Sequence, residues 1–567
     1  MRFIPGVCHV NIFARLATAS LFAFLPATAC AQSSDEAFIP DIPSENIEAH
    51  IRFLAHDAMA GRASGSDGYA IAANYVASQY RLIGLEPAGD NGGYFADVPM
   101  QIVTPVADTG TLVIGEGENA VELVNGEGLI ISAHPVLDES AVTAEVVFVG
   151  YGLSMPHHDY DDYEGVDVEG RIVAYFGGAP DIMPSDERSH QQRASTKRET
   201  AAAHGAIGYI QLSATPEAQY AGFASRLVAN PDIMLAPAAA EPAYNQLQVA
   251  AGVALEGAQA LFANSGTTFE EAAERLQSGE PASLPLNITV SMTQQTNREL
   301  YTDHNIVGMI PGSDPELADE IVVLTAHLDH IGITDADGVS MTGCRSNNVE
   351  DRICNGAVDN ASGSAIMLET ARTFIQTGAP RRSLLFVALA AEEQGLLGSE
   401  YFATHPTVPA EAMVANVNLD MPVIVYEFDD VIAFGAERSS LGPIAERAAA
   451  RHGVTISPDP IPEQNLFVRS DHYNFVRQGI PSVFLMTGFS SPDPRWDEGE
   501  GFMGFLNTHY HRQSDEPDSD EEMVILYEQG AKFANINFLI AREIANNDEP
   551  PAWNEGDFFG EFYGADR

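Results

Sequence analysis

Five short segments of the chain set histidine or carboxylate side chains just behind an apolar run. They are Ala326-His327-Leu328-Asp329-His330, Gly356-Ala357-Val358-Asp359-Asn360, Ala391-Glu392-Glu393-Gln394-Gly395, Asn418-Leu419-Asp420, and Tyr510-His511 with Asp515 after it. One such segment means little, because a histidine at a strand end more often serves structure than ligation. Five meeting at one sheet edge supply what two neighbouring divalent ions need: imidazole and carboxylate donors, and one carboxylate able to bridge, since an anion between two cations offsets their repulsion. A hydrolytic centre also needs a carboxylate free to take a proton from the attacking water. The adjacent Glu392 and Glu393 allow that division of labour, because neighbouring residues leaving a strand point in different directions. Each segment also has a plain local role. The run 359–363 caps a helix starting near Ser362, and Glu392-Glu393 suit a helix start where the dipole favours acids. Neither role explains why both fall, in order, between two histidine clusters.

The elements that must position these residues alternate. Apolar runs at 321–326, 384–390, 414–419 and 483–486 read as buried strands, and helical patterns at 362–377 and 441–451 lie between them. This predicts an α/β fold with a mixed, mostly parallel sheet sandwiched by helices, with its chemistry beyond the carboxyl ends of the strands. Residues 47–93 read as helical. From about 103 to 286 the character changes to short β-rich runs broken by Gly, Pro and Asp. The expected organisation is a leader at 1–31, an amino-terminal part of the main domain at 36–129, an inserted β-rich module at 130–286, the main catalytic part at 287–547 and an acidic tail at 548–567 with no assigned fold.

Composition narrows the function. The 80 acidic residues against 28 basic ones give a formal charge of −52, which repels nucleic acid and anionic membrane. Arg2 and Arg15, the apolar stretch 16–26 and the small residues Ala27, Ala29 and Ala31 have the layout of a secretory leader, and no later run is long enough to span a bilayer. A free periplasmic or extracellular protein is expected, with lipid anchoring at Cys30 the lesser alternative. In an oxidising compartment Cys344 and Cys354 are close enough to close a small disulfide loop, and their spacing is not that of a zinc knuckle.

The ordered set H-x-D, GAxDNASG, AEExGLxGS, NLD and YHxxSD resembles the co-catalytic zinc metallopeptidase family of bacterial leucine aminopeptidases and glutamate carboxypeptidases, over about residues 50–545. Val149-GYGL with Tyr160-DDYEGVDVEGRIV resembles a protease-associated domain, and Leu54-AHDAMAGRASGSDGYA resembles the amino-terminal region of members with that insertion. The resemblance implies a zinc exopeptidase fold and two Zn²⁺ per chain. His327 and Asp420 would hold one ion, Glu393 and His511 the other, and Asp359 would bridge. Glu392 would be the general base for metal-activated water, and Asp329 would orient His327. The implied reaction removes single residues from peptides, most readily from the amino end. No other cofactor is implied, and oligomeric state stays open. A carboxypeptidase would need an arginine cluster, for which Arg469 and Arg345 are candidates. A glutaminyl cyclase is also related. A non-catalytic binding homologue should have lost ligands, and none is missing. Where some aminopeptidases of the family have an oxyanion-steadying tyrosine, this chain has Phe467. Asp471-His472 resembles a segment on the substrate side. His304, His330 and His509 read as surface or supporting residues, and His157-His158 as a surface turn.

Overall fold

The computed structural model describes residues 40–564 apart from 280–281, 335–342, 347, 349 and 519–523. The leader, Cys30 and residues 565–567 lie outside the described residues. At the centre, strands Ser383–Leu389, Ile321–His327, Met413–Leu419 and Ser482–Thr487 run parallel in that spatial order. Their unbroken apolar character follows from burial on both faces. Val322, Leu324, Ala326, Leu384, Phe386 and Ala388 enter one core, while Ile321, Val323, Leu385, Val387 and Leu389 enter another on the opposite side. The strand period of two separates them residue by residue. Helices Gly363–Thr377, Tyr527–Asn546, Ser44–Leu54 and Asp67–Ile83 build the first core, and Leu397–Thr404 and His472–Val476 bring Phe402 and Phe475 to the second. Antiparallel strands extend the sheet on either side: Asp430–Phe434 beside Ser482–Thr487, and Leu284–Ile310 beside Ser383–Leu389. The mixed α/β sandwich with a parallel centre is the one the apolar runs predict.

Strand Leu284–Ile310 is 27 residues long and belongs to two sheets. Its later part pairs with Phe95–Pro105 and Ser383–Leu389, and its earlier part with Glu139–Phe148 and Thr111–Ile114 in a second sheet that has its own core. That second sheet takes in Thr111–Ile114 and Val121–Val124, ahead of the boundary at 130 drawn from composition. In the other direction, Asp232–Leu235 returns from within the module to pair with Phe95–Pro105. Composition marks where character changes, whereas sheet membership depends on a distant hydrogen-bonding partner. Cys344 and Cys354 form a buried disulfide ahead of the turn that carries Asp359.

The carboxyl-terminal segment, read from its acidity as having no fold, instead straps the molecule. Helix Phe558–Tyr563 buries Phe558 and Phe559, and the Trp553 indole Nε1 donates to the Gly479 carbonyl at 2.9 Å. Beneath it His190 of helix Ser185–Gln192 is buried among Tyr473, Phe558, Phe559 and Tyr563, with Nδ1 2.5 Å from the Tyr473 hydroxyl. Burial pushes this imidazole down to about 3, and it does the same to His472. Both folded values lie below the unfolded one, so unfolding takes up protons, and stability present above about pH 6.5 is lost as the pH falls towards 3. Buried carboxyls such as Glu400, raised to about 7, titrate over the same range with the opposite sign, so the expected outcome is a difference: between about pH 7 and about pH 5 the urea midpoint of wild type should drop further, or rise less, than that of His190→Gln. An equal change in that variant would remove His190 from the account.

Candidate metal centre

The carboxyl ends of the parallel strands deliver the predicted residues to one place. His327 ends Ile321–His327, Glu392 and Glu393 follow Ser383–Leu389, and Asp420 follows Met413–Leu419. Asp359 sits in the turn leading to helix Gly363–Thr377, and His511 follows helix Glu500–Thr508. His327 Nε2 lies 3.1 Å from Asp420 Oδ1 and 3.3 Å from Asp359 Oδ1. The other oxygen of Asp359 lies 3.5 Å from His511 Nε2. Glu393 sits between two imidazoles, with Oε1 2.7 Å from His330 Nδ1 and Oε2 3.0 Å from His511 Nε2. Asp359 therefore turns one oxygen to each donor set. Glu392 comes no nearer to His327 than 3.9 Å and lines the adjoining cavity with Asp359, Glu393 and Asp420.

Main-chain groups hold this arrangement. Asp515 accepts the amides of Val358 and Asp359 at 2.9 and 3.0 Å, and Asn360 accepts those of Gly363 and Met421 while donating to the Leu419 carbonyl. A β-carbon at Gly356 would lie 2.2 Å from the Asp359 carbonyl oxygen and 2.6 Å from the His330 ring, so only glycine fits that turn. Asp329 lies against His327, as expected, but chiefly through its main chain. The Nδ1 of His327 faces its main-chain carbonyl at 3.2 Å, while its carboxylate stays 3.9 Å away and accepts the amides of Glu392 and Glu393. Its carboxylate thus positions the glutamates and its carbonyl the histidine. The second oxygen of Asp420 takes the Ser470 hydroxyl at 2.5 Å.

Electrostatics divide the two glutamates. Burial holds the Glu392 carboxyl well above its ordinary range, reinforced by Asp420 and Glu393, with His327 opposing. Burial acts the same way on Glu393, but the flanking imidazoles of His511 and His330 outweigh it and hold the carboxyl down at about 2. Burial disfavours charge on His327 and His511, yet the neighbouring carboxylates win and raise both, His511 to about 10. The carboxylates thus favour positive charge between them, which is the electrostatic demand a divalent ion meets in such a donor set. The residues fit a metal pair on a further ground: His511 Nε2 is buried without a well-aligned hydrogen bond although two carboxylates lie within 3.5 Å. His327, Asp359 and Asp420 form one compact donor group and His330, Asp359 and Glu393 a second.

Sequence reasoning undervalued three residues. His330, expected to have a supporting role, is buried and hydrogen-bonded to Glu393. Tyr510 lines the cavity along with Arg469, Leu466, Met421, Phe484 and Met486, whereas Phe467 points into the core against His472 and Phe559. Arg62 was only part of a quoted motif, with no signal in spacing to mark it. It is fully buried and donates to four carbonyls, those of Leu54, Leu328, Asn355 and Gly356. Burial lowers its guanidinium to about 10, so it stays charged beside Asp515, Asp329, Asp359 and Glu393. His304 pairs with Asp97, and His509 faces the Ser514 carbonyl. A larger cavity, about 630 Å³, lies around Tyr220, Phe223 and Tyr244, and none of the predicted residues line it.

Residues 305–526 match the model of peptidase family M28. A probable zinc metalloprotease of Pyrenophora tritici-repentis (strain Pt-1C-BFP) is 32% identical over 133 residues, 22% of this chain and 30% of that protein. Leucine aminopeptidase 1 of Trichophyton equinum is 28% identical over 228 residues, 38% of this chain and 53% of that one. The chain thus spans between about a third and a half of the length of these relatives. The solved aminopeptidase from Aneurinibacillus sp. strain AM-1 aligns over 90% of this chain and 95% of its own at 20% identity, with a TM-score of 0.47.

Replacing Arg62 by methionine strands four buried carbonyls and removes a positive charge from beside the carboxylates. The expected loss is roughly 3–5 kcal/mol in urea melts. Arg62→Lys should recover only part, since an ammonium cannot reproduce the planar fork. A loss under about 0.5 kcal/mol for methionine would show that Arg62 holds nothing.

Proposed function

We propose, on the premise that residues 305–526 are a peptidase family M28 domain, that this chain is an exopeptidase with a two-zinc centre that removes residues from the amino ends of peptides. The observation that carries this reading is Asp359 offering one oxygen to each of two donor sets while Glu392 stands unshared beside them. The names of the matching relatives, a zinc metalloprotease and a leucine aminopeptidase, support it. His327 and Asp420 would hold one ion and Glu393 and His511 the second, with Asp359 between them and His330 within reach of Glu393. Ions in such a site supply Lewis acidity for the scissile carbonyl and lower the pKa of water.

The remaining work falls to the chain's own groups. Glu392, raised by burial, is a stronger base than an exposed glutamate, so it can take a proton from water and pass it to the leaving amine. Asp329 fixes the main chain of both glutamates, and Ser470 turns the second oxygen of Asp420 aside. With Phe467 in the core, the Tyr510 phenol and Arg469 on the cavity wall are the donors available to a developing oxyanion. Met421, Leu466, Phe484 and Met486 give an apolar wall suited to an uncharged side chain beside the scissile bond. A carboxypeptidase needs a clamp of cations, and among the described residues Arg469 alone lines this cavity, against the carboxylates of Asp359, Glu392, Glu393 and Asp420. Among the described residues no helix is long and apolar enough to cross a membrane. The leader-like residues 1–31 and the Cys344–Cys354 bond support export to an oxidising compartment.

The adjacent glutamates provide the test. Glu392→Gln keeps size and hydrogen bonding but removes the base, so turnover should fall roughly a hundred-fold or more with zinc content unchanged from wild type. Glu393→Gln removes a ligand, so zinc content should fall and residual activity should depend on added zinc. Turnover on aminoacyl chromogenic amides, zinc per chain and a melt separate these outcomes. Near-full activity of folded, metallated Glu392→Gln would rule out Glu392 as the base.

A further inference from the structure

Away from this centre, a second group of metal-type donors stands where the inserted module meets the carboxyl-terminal strap. His157 and His158 lie on the turn Pro156–His158, and Glu187 comes from helix Ser185–Gln192. One donor atom from each of the three lies within 4.8 Å of the other two. His158 Nε2 is 2.9 Å from Glu187 Oε2, and the two imidazole rings are 4.3 Å apart. The histidine pair reads as a plain surface turn in sequence because its third member is 29 residues further on, and no spacing rule links them.

The surroundings prepare these donors. Glu187 is 8% exposed, and its Oε1 lies 4.0 Å from Arg438 Nη1, which leaves Oε2 directed at His158. Arg438 is itself paired with Asp186 and Asp557, so it orients Glu187 without neutralising it alone. The His157 ring packs on Phe558 at 4.8 Å, which limits its rotation, while its exposure leaves a path for an ion and an open position for water. A simple His158–Glu187 ion pair needs one imidazole. The second imidazole in ligand range is a donor that such a pair does not use. Two imidazole nitrogens and one carboxylate oxygen suit a borderline ion such as zinc, and are a poor match for calcium or magnesium, which take oxygen donors.

We propose that His157, His158 and Glu187 bind a further divalent transition-metal ion of the zinc class, separate from the catalytic centre. The ion ties the Pro156–His158 turn to helix Ser185–Gln192 and, through Arg438, to the strap that closes over the module. Its role is structural, and it rests on its own donors and not on the peptidase reading.

The full-length chain, stripped with a chelator and reloaded at buffered free zinc, provides the test by metal analysis. Wild type should hold one zinc more per chain than either His157→Ala or His158→Ala. Zinc should raise the melting temperature of wild type more than that of either variant, with turnover at saturating zinc unchanged in both. His157 is exposed, so His157→Ala keeps the count readable if His158→Ala misfolds. An equal zinc content in wild type and folded His157→Ala overturns the proposal. The readout is a difference of one ion, so it stands even if the catalytic centre holds a different number than proposed.

Discussion

The rest of the molecule answers to one electrostatic constraint: Asp329, Asp359, Glu392, Glu393 and Asp420 bring their carboxyl groups together, shielded from bulk water, at the end of a parallel sheet. Two like charges about 4 Å apart repel by about 4 kcal/mol at an effective dielectric near 20, so the five cannot all be ionised without compensation. The chain supplies it in three forms. Imidazoles of His327, His330 and His511 stand against Asp359, Asp420 and Glu393. Amides of Glu392 and Glu393 point at Asp329, while those of Val358 and Asp359 hold Asp515, a sixth buried carboxyl beside them. Arg62 holds a fixed positive charge behind them. What these leave uncompensated is a residual demand for positive charge, the demand that divalent ions meet in such a donor set.

Holding the donors in register also strains the backbone. Ala391, Met421 and His511 adopt left-handed conformations with φ of 53°, 40° and 58°, and each adjoins or is a residue of the centre. Such conformations cost on the order of 1–3 kcal/mol each for residues other than glycine. The buried strands make this tolerable. The chain leaves the ends of Ser383–Leu389 and Met413–Leu419 already fixed by packing on both faces, so the next residue must turn sharply to aim its side chain across the sheet edge. Rigidity in the sheet and strain at its edge are two parts of one device.

This explains what the sequence made legible. Apolar runs show a strand buried on both faces because every position is constrained, and a polar residue directly after such a run stands out against it. His327, Asp420 and the glutamate pair were therefore visible. Arg62 was not, because its partners are main-chain carbonyls, and carbonyls leave no mark on side-chain identity. Asp329 was visible as a residue, but its actual contacts are again with the main chain. The terminal strap was hidden for a different reason. Its acidity is real, yet Trp553, Phe558 and Phe559 decide its fate, and a few large aromatic side chains outweigh many solvated carboxylates once a receptive surface exists.

The scarcity of cations follows the same logic on a larger scale. With 28 basic residues against 80 acidic ones, cations are few, and some of them are buried where the main chain needs a donor. Lys197 is buried and donates to the carbonyls of Tyr151 and Gly178, and Lys532 is half-buried and donates to that of Phe428. Arg382 is fully buried and ties the carbonyls of Ile544, Asn547 and Asp548 to the edge of the sheet, with Glu320 as its partner. Buried cations act as struts, while exposed arginines such as Arg52, Arg447 and Arg495 pair with surface carboxylates that remain in large excess. Repulsion among those carboxylates is screened by salt over about 10 Å at 0.1 M, while the buried struts are largely insensitive to it. Ionic strength therefore acts chiefly on the outer surface, whereas the two sheets shared by strand Leu284–Ile310 and the strap over His190 are held by other means. There the chain has placed its continuous strand, its aromatic cage and the Arg438 network, interactions whose strength depends little on the charge outside.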